Sequence, residues 1–280
     1  SAARSIGPRM KWGNGSFAGG VINVTAEIIL TRESVTTFRI LSVSMGYPQD
    51  AIQVKVEKKE LHMPTLVLVG AGASYGSEPC RAHKTPPLGN DLFGELTELG
   101  GVASRIPSDI KEVFEQGFEL GMAVFNERID VQLQAFHREL SSYLADFVPS
   151  ADSYYIQLLN KLVGRNVIFS SLNYDMMLEE AANMLGMNVS YGIERRSNTV
   201  RVIKPHGSIN FWPDIPPEMF KNCTFSRVGS VIKAPVKPVD RLSAKHRCGV
   251  DTSFSPAISM YAKGKKVSVC PDFVQNQQAL

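Results

Sequence analysis

The sequence predicts an α/β protein with a Rossmann-like, doubly wound parallel sheet, a helical insertion and a β-rich N-terminal segment. Three observations predict this class. Residues 66–69 and 167–169 are short, wholly apolar runs without alternation, as expected of strands buried on both faces of a parallel sheet. Long stretches with helical periodicity lie between these runs and after the second one. The resulting order of strand, helices, strand, helix and strand is typical of a doubly wound domain.

The N-terminal segment, residues 1–62, is expected to be a β-rich addition to a main domain of residues 63–280. Ile52, Val54 and Val56 alternate with polar residues, which indicates a strand with one face in water. We expect a small antiparallel β unit that carries no chemistry of its own.

The main domain is expected to alternate helices with strands. The predicted helices span residues 91–99, 109–125, 127–147, 154–163 and 175–185. Further strands are predicted at 188–191 and 200–204. A sheet of this class needs more strands and helices after residue 269, so we expect that the sheet is completed differently or that the chain is a fragment.

Composition excludes several classes of protein. With 280 residues, 44% hydrophobic and 20% charged, and a net charge of +3, the chain is that of an ordinary soluble globular protein and not a disordered one. No apolar run approaches the roughly 18 residues that span a bilayer, and no signal segment is evident, so we expect a cytoplasmic protein without membrane contact. The four cysteines form no CxxC pair, and neither a disulfide scaffold nor a metal site is expected.

Charge is distributed unevenly along the chain. Residues 88–147 contain 11 acidic and 4 basic residues, whereas residues 221–270 contain 10 Lys or Arg and 2 Asp. We expect this basic tail to be a solvated loop region around Pro235, Pro238 and Pro256. The alternative is a surface that binds phosphates. Because the tail lacks regularly interleaved aromatic residues, nucleic acid is only a minor alternative.

A glycine-rich turn directly follows the first buried strand. Its residues are Gly70, Ala71, Gly72, Ala73 and Ser74. Glycines let the backbone approach a ligand closely, and backbone N–H groups together with the Ser74 hydroxyl can bind pyrophosphate oxygens. The dinucleotide fingerprint GxGxxG needs its third glycine at position 75, where Tyr75 stands. Taken alone, the turn leaves open a nucleotide site and a tight strand-to-helix connection.

Two further polar motifs follow predicted strands. Ser171, Asn173 and Asp175 lie at the carboxyl end of the second buried strand, where open α/β sheets place ligands. In the alternative interpretation Asn173 is a turn residue and Asp175 caps a helix. His206 ends another strand and is followed by a glycine that permits close approach. Trp212 can supply an apolar wall that excludes water.

Together the three motifs resemble those of the sirtuin-like family, whose members share a Rossmann-type domain with a GAG turn, an Asn-x-Asp motif and a His-Gly motif in this order. The resemblance covers residues 65–212, about half of the chain. Residues 84–92 look like the Pro-Pro-x-Gly loop of the bacterial, defence-associated branch, which in relatives helps to cover the nicotinamide end of NAD.

The resemblance implies NAD as the substrate and assigns roles to individual residues. Asn173 and Asp175 are expected at the nicotinamide ribose and carboxamide, and His206 as the catalytic histidine. The residues expected to bind NAD are Gly70, Ala71, Gly72, Ala73, Ser74, Pro87, Asn90 and Ser171. Relatives of the NAD-depleting kind assemble and are held inactive until prompted, so a homo-oligomer or a controlling partner protein is expected, with a role in antiviral defence.

One departure from the family shifts the expected reaction. Protein deacylases of the family carry a zinc module with two Cys-x-x-Cys pairs, which three dispersed cysteines after residue 212 do not reproduce. This favours NAD hydrolysis to nicotinamide and ADP-ribose, without a metal. Nicotinamide leaves NAD as a neutral ring, so an oriented amide (Asn173) and a base (His206) suffice without an acid to protonate the leaving group. An NAD-dependent deacylase and a module that binds NAD or ADP-ribose without turnover remain alternatives.

Overall fold

The computed structural model describes residues 39–41, 64–75, 77, 85–128, 130–216, 218, 231–251, 253–259 and 267–280. Most of the predicted β-rich N-terminal segment therefore lies outside the described residues, as do Cys80 and Cys223. No helix in the described ranges is both long enough and apolar enough to cross a bilayer.

The centre of the fold is a parallel β-sheet. Four of its strands come from the main domain, and a three-residue strand from the N-terminal segment adds to one edge. The strands are β1 (Arg39–Leu41), β2 (Thr65–Val69), β3 (Val167–Ser171), β4 (Asn188–Ser190) and β5 (Thr199–Ile203). Their order across the sheet is β1-β2-β3-β5-β4, and every pair runs parallel. The predicted α/β class with a parallel sheet is therefore confirmed.

The described strands advance across the sheet from β1 to β3, and the chain then reaches the far edge at β4 before it returns to β5. A doubly wound sheet reverses direction beside its first strand. Among the described strands the chain turns back only from β4 to β5, at the far edge, and not beside the first strand. The register aligns Val69 with Ser171, and Ser170 with Ile203, so β2, β3 and β5 end at nearly the same level.

The predicted helical insertion is present between β2 and β3. Its helices are α1 (Ala71–Tyr75), α2 (Gly89–Glu98), α3 (Ser108–Gln116), α4 (Phe118–Arg128), α5 (Asp130–Leu144) and α6 (Tyr154–Leu162). The prediction of one helix over 109–125 is wrong because Gly117, with φ of 154°, ends α3 in a conformation that other residues rarely adopt. The helix after β3, α7 (Met177–Met184), starts two residues later than predicted.

Aromatic side chains form the centre of the helical insertion. Phe114 is buried, and its ring stacks on Phe93 with centroids 3.8 Å apart. Phe118 and Phe136 pack around the same ring. Burying several phenylalanines contributes on the order of 2 kcal/mol each, so this cluster fixes how α2 to α5 pack together.

The remaining elements form a smaller layer. Two short strands, β6 (Phe211–Pro213) and β7 (Val236–Pro238), pair antiparallel, and α8 (Arg241–Val250) and α9 (Pro271–Ala279) follow. The prediction of a solvated loop is wrong for α8, because the Asp240 side chain accepts a hydrogen bond from the Ser243 N–H and caps the helix. Lys245 pairs with Asp146, so part of the basic charge is used against the acidic insertion.

His137 lies inside the helical insertion, on α5. Its side chain is buried, and neither ring nitrogen has a hydrogen-bond partner among the described residues. Burial, with a smaller contribution from the adjacent Arg138, lowers the pKa of His137 from 6.5 to about 4. The folded protein therefore holds this imidazole neutral.

The depressed pKa predicts a loss of stability in acid. The unfolded chain protonates His137 near pH 6.5 and the folded chain only near pH 4, so stability is present above 6.5 and is lost as the pH falls between these values. The full loss is about 3 kcal/mol. In His137→Leu this part of the pH dependence is expected to vanish. Denaturant unfolding of both proteins across this range measures it, and parallel pH profiles would contradict the prediction.

Candidate functional site at the carboxyl edge of the sheet

The three predicted motifs meet at one edge of the sheet. Gly70 follows β2 directly, Asn173 follows β3 by two residues, and His206 follows β5 by three. Because β2, β3 and β5 are parallel neighbours, their carboxyl ends lie side by side. This is the edge at which open α/β sheets bind ligands.

The amide of Asn173 joins the second motif to the glycine turn. Its Nδ2 donates to the Gly70 carbonyl oxygen at 2.9 Å and to Ser74 Oγ at 2.8 Å. The backbone supports the same junction, since the Leu172 N–H donates to the Val69 carbonyl at 2.9 Å. The turn is therefore held by a side chain that lies 99 to 103 residues further along the sequence.

These bonds determine what Asn173 can offer to a ligand. A carbonyl oxygen only accepts hydrogen bonds, so the amide nitrogen and not the amide oxygen must face Gly70. Both N–H donors are used inside the protein. A ligand or a water molecule at this residue must therefore donate a hydrogen bond to Oδ1.

Asp175 has an internal role in the described structure. The Ser74 hydroxyl donates to its Oδ2 at 2.8 Å, and the N–H of Met177, the first residue of α7, donates to its Oδ1 at 3.0 Å. The carboxylate is only 7% exposed. Asp175 therefore connects the glycine turn to the start of α7. The interpretation of Asp175 as the cap residue is off by one position, because Met176 occupies the N-cap.

Tyr155, which sequence reasoning missed, completes this network. It is buried on α6, and its hydroxyl lies 3.2 Å from Ser74 Oγ. Since the Ser74 proton goes to Asp175, Tyr155 donates to Ser74. Burial raises the pKa of Tyr155 above its ordinary value, with Asp175 adding to the rise, so the phenol keeps its proton. The backbone N–H of Tyr155 in turn donates to the buried Ser77 at 3.4 Å.

The third motif is joined to the second by three hydrogen bonds. Lys204 Nζ donates to the Asp175 carbonyl at 2.7 Å. The Ile209 N–H and the Ser208 hydroxyl both donate to the Tyr174 carbonyl, at 3.0 and 3.3 Å. The loop that carries the histidine is thus fixed to the Asn-x-Asp segment on both sides.

His206 is half-buried beside the second motif. Its ring centroid lies 6.3 Å from that of Tyr174, and its backbone carbonyl accepts from the Ser259 N–H at 2.8 Å. Gly207 has φ of 76°, and a Cβ there would lie 2.0 Å from the Ala257 carbonyl oxygen. The close approach that the sequence assigned to a ligand is therefore made by the segment at Ala257.

Two other predicted residues have contacts of their own. Ser171 is buried, and its hydroxyl accepts from the Asn173 N–H at 3.3 Å, so it shapes the turn. Trp212 is fully buried, and the guanidinium of Arg247 lies 4.4 Å from its ring centroid. It therefore presents no exposed apolar wall.

The segment expected to cover the site is described only from residue 85. Pro87 is half-buried and precedes α2, and Asn90 is exposed in the first turn of that helix. Asp91 also lies in the first turn, as the sequence indicated.

Within the described residues, neither backbone conformation nor close packing requires glycine at positions 70 and 72 of the turn. Neither Gly70 nor Gly72 has a positive φ, and a Cβ placed on either meets no atom of the described residues within 4 Å. Gly72 is moreover exposed inside α1, where glycine is unfavourable. The Gly70 carbonyl oxygen accepts from both Ala73 N–H and Asn173, which directs its negative charge into the protein. Among the described residues, no atom occupies the space beside these two glycines.

Comparison with known proteins assigns no family, since neither a protein-family model nor a curated protein matches the chain. Among the described residues, no group of three or more His, Cys, Asp or Glu is arranged to hold a metal ion.

Ser74→Ala is expected to destabilise the protein by about 2 to 4 kcal/mol, because Asn173, Asp175 and Tyr155 all lose a buried partner. Tyr155→Phe removes one of these bonds and is expected to cost about 1 kcal/mol. Denaturant unfolding measures both changes.

Ser104→Ala is the matched control for these measurements. Its hydroxyl donates one partly buried hydrogen bond to the Gly101 carbonyl, and a change within about 0.5 kcal/mol is expected. If Ser74→Ala costs no more than Ser104→Ala, Ser74 is not the centre of a network.

Proposed function

We propose that the chain is a sirtuin-like NAD glycohydrolase, which cleaves the bond between nicotinamide and ribose to give nicotinamide and ADP-ribose. The observation that carries the proposal is that three motifs, distant in sequence, meet at the carboxyl edge of adjacent parallel strands and are joined by hydrogen bonds. In this proposal the complete sheet has Rossmann-like, doubly wound topology, and NAD lies across this edge.

The glycine turn suits the phosphates of NAD. The pyrophosphate is anionic and requires a close backbone approach without an exposed carbonyl oxygen. The missing Cβ atoms at Gly70 and Gly72 allow that approach, and the Gly70 carbonyl is already turned toward Asn173. The Ser74 hydroxyl stabilises the turn from inside the protein, because it donates its proton to Asp175 and not to a phosphate.

Asn173 suits the nicotinamide ribose. Its remaining acceptor, Oδ1, can take a hydrogen bond from a ribose hydroxyl or from the attacking water. Cleavage passes through an oxocarbenium-like state, and the leaving ring departs neutral. A fixed acceptor that orients the sugar or the water lowers the activation barrier of cleavage, because the reacting groups are already in position.

His206 is the base in this mechanism. Histidine titrates near neutral pH and can take the proton of the attacking water as the new bond to ribose forms. General-base assistance of this kind contributes about 10² to 10⁴-fold in rate. Its ring lies near that of Tyr174, the residue between Asn173 and Asp175 in the sequence.

The biological role is proposed from the resemblance alone. An enzyme of this kind, held inactive as a homo-oligomer or by a partner protein, would deplete NAD during antiviral defence. Toxicity on expression in bacteria that disappears with His206→Ala supports this role, and equal toxicity of both proteins contradicts it.

A module that binds NAD or ADP-ribose without turnover is the second candidate. It is favoured by the internal use of the Asn173 donors, the Ser74 hydroxyl and both Asp175 oxygens. Such a module gains thermal stability with NAD but releases no nicotinamide.

Asn173→Ala and His206→Ala are each expected to lower nicotinamide release by about 100-fold or more. Chromatography of the products formed from NAD by the purified proteins measures the rates, and circular dichroism verifies folding. Asn183→Ala and His246→Ala replace the same residue types at exposed positions on α7 and α8 and are expected to keep the wild-type rate. Wild-type rates in both folded site variants would overturn the proposal.

Gly72→Ala is expected to stabilise the free protein by about 0.5 to 1 kcal/mol, because the position is exposed and helical and the new methyl group meets no described atom. The same methyl group is expected to weaken NAD binding about tenfold or more by blocking the phosphates. Thermal unfolding and calorimetric titration with NAD, both in a His206→Ala background that prevents turnover, measure the two effects.

Gly94→Ala is the matched control, because Gly94 is also exposed and helical with an open Cβ position, but lies on α2. It is expected to stabilise the protein to a similar extent and to leave NAD affinity unchanged. Equal NAD affinity of the Gly72 and Gly94 variants would show that phosphates do not bind the turn.

A further inference from the structure

A buried ion pair lies directly behind the candidate site. Lys204, two residues before His206, is fully buried, and its Nζ lies 3.3 Å from Oε1 of Glu179 on α7, which is itself 1% exposed. The same Nζ donates to the Asp175 carbonyl at 2.7 Å. One ammonium group thus connects the His-Gly loop to the Asn-x-Asp segment and to the helix that follows it.

The pair extends into a polar chain. The Tyr191 hydroxyl donates to Glu179 Oε1 at 3.5 Å and accepts from Asn210 Nδ2 at 2.7 Å. Burial raises the pKa of Glu179, and the nearby Lys204 ammonium opposes that rise. Glu179 precedes the His-Gly loop in the sequence and Asn210 follows it, so these contacts connect α7 with the segment after the loop.

The arrangement is poor as a device for stability alone. Removing two charges from water is costly, and an apolar pair of similar volume is often at least as stable. Glu179 Oε2 has no hydrogen-bond partner among the described residues, which adds to the cost. An apolar pair could not donate a directional hydrogen bond to the Asp175 carbonyl, as Lys204 does.

The backbone of Lys204 is held from the opposite side by α9. Its N–H donates to Gln277 Oε1 at 2.9 Å, and Gln277 Nε2 donates to the Tyr191 carbonyl at 3.1 Å. The next residue on the helix, Gln278, donates to the Pro205 carbonyl at 2.9 Å. Gln277 is 3% exposed, so this contact is part of the interior.

We infer that Lys204 is a positioning residue that sets the place of His206 relative to Asn173, with Glu179 and Gln277 fixing its side chain and its backbone. This role rests on the function proposed above. Lys204 acts through the Asp175 carbonyl and the loop geometry, and it does not touch the substrate.

The double variant Lys204→Met, Glu179→Gln tests the role. Removing Lys204 alone would leave a buried carboxylate without its cation, which is strongly destabilising. The double variant removes both charges and keeps similar side-chain volumes, so it is expected to fold. It loses the hydrogen bond to the Asp175 carbonyl.

Arg201→Met is the matched control. Arg201 is a buried cation on β5, which ends one residue before Lys204, but it donates to the carbonyls of Ile193 and Val167 and to Asn166 Oδ1, away from the carboxyl edge. It is expected to lower thermal stability and to keep kcat within about threefold of wild type.

Two readouts are taken on each protein. In the double variant, kcat for nicotinamide release is expected to fall about 10 to 100-fold with KM within about threefold, since misplacement affects the reacting geometry more than binding. Hydrogen exchange at the Ile209 amide, bonded to the Tyr174 carbonyl, is expected to accelerate about tenfold or more. Exchange at the Leu172 amide, between β2 and β3, is expected to stay unchanged.

The outcomes separate the positioning role from the proposed function. If the folded double variant keeps wild-type kcat, or if Ile209 exchange is unchanged, the positioning role is overturned. If the wild type itself releases no nicotinamide, the proposed function fails, and the exchange measurement alone decides whether Lys204 positions the loop. Gln277→Met removes the bonds to the Lys204 N–H and to the Tyr191 carbonyl but keeps the Lys204 side chain in place. It is expected to change both readouts in the same direction by a smaller factor, which covers the case that the double variant does not fold.

Discussion

The hydrogen bonds of one amide, that of Asn173, hold the candidate site together. Parallel pairing of β2 with β3 brings Gly70 and Asn173 to the same edge, but pairing alone does not fix the position of Gly70, which has no side chain to pack. The two bonds from Nδ2 to Gly70 and Ser74 fix it. Through Ser74 and Asp175 the constraint continues to α7, and through Lys204 it reaches the loop that carries His206.

This arrangement separates residues that support the site from those that can contact a ligand. Ser74, Asp175 and Tyr155 are polar groups of the kind expected in catalysis, yet they are buried and bonded to one another. A buried network of this kind is stable only when its members are satisfied, so a ligand gains little by competing for them. The groups that we propose for ligand contact are therefore the backbone of the glycine turn, Asn173 Oδ1 and the half-buried His206.

Local sequence patterns predicted the secondary-structure elements, because these depend on residues that are neighbours in the sequence. The apolar runs at β2 and β3 and the helical periodicity of α6 match the structure to within a residue or two. The break at Gly117 was missed because apolar spacing continues through it, and only the backbone angle ends the helix. Tyr155 and Lys204 were missed because their partners lie 81 and 29 residues away, and no local pattern marks such a contact.

Two buried cations, Arg201 on β5 and Lys204 directly after it, contact different ends of the sheet. Arg201 directs its planar guanidinium to the carbonyl oxygens of Val167, the first residue of β3, and of Ile193, between β4 and β5, so several donors in fixed directions hold these backbone segments together. Lys204 places a single charged group beside Glu179 and below the Asp175 carbonyl, at the edge where the motifs meet. The compact ammonium group of a lysine suits this position, because its single important contact is the distance to the Asp175 carbonyl. The contacts of Arg201 therefore lie at the end of the strand opposite the candidate site, whereas those of Lys204 lie at the end where we propose that it positions the site.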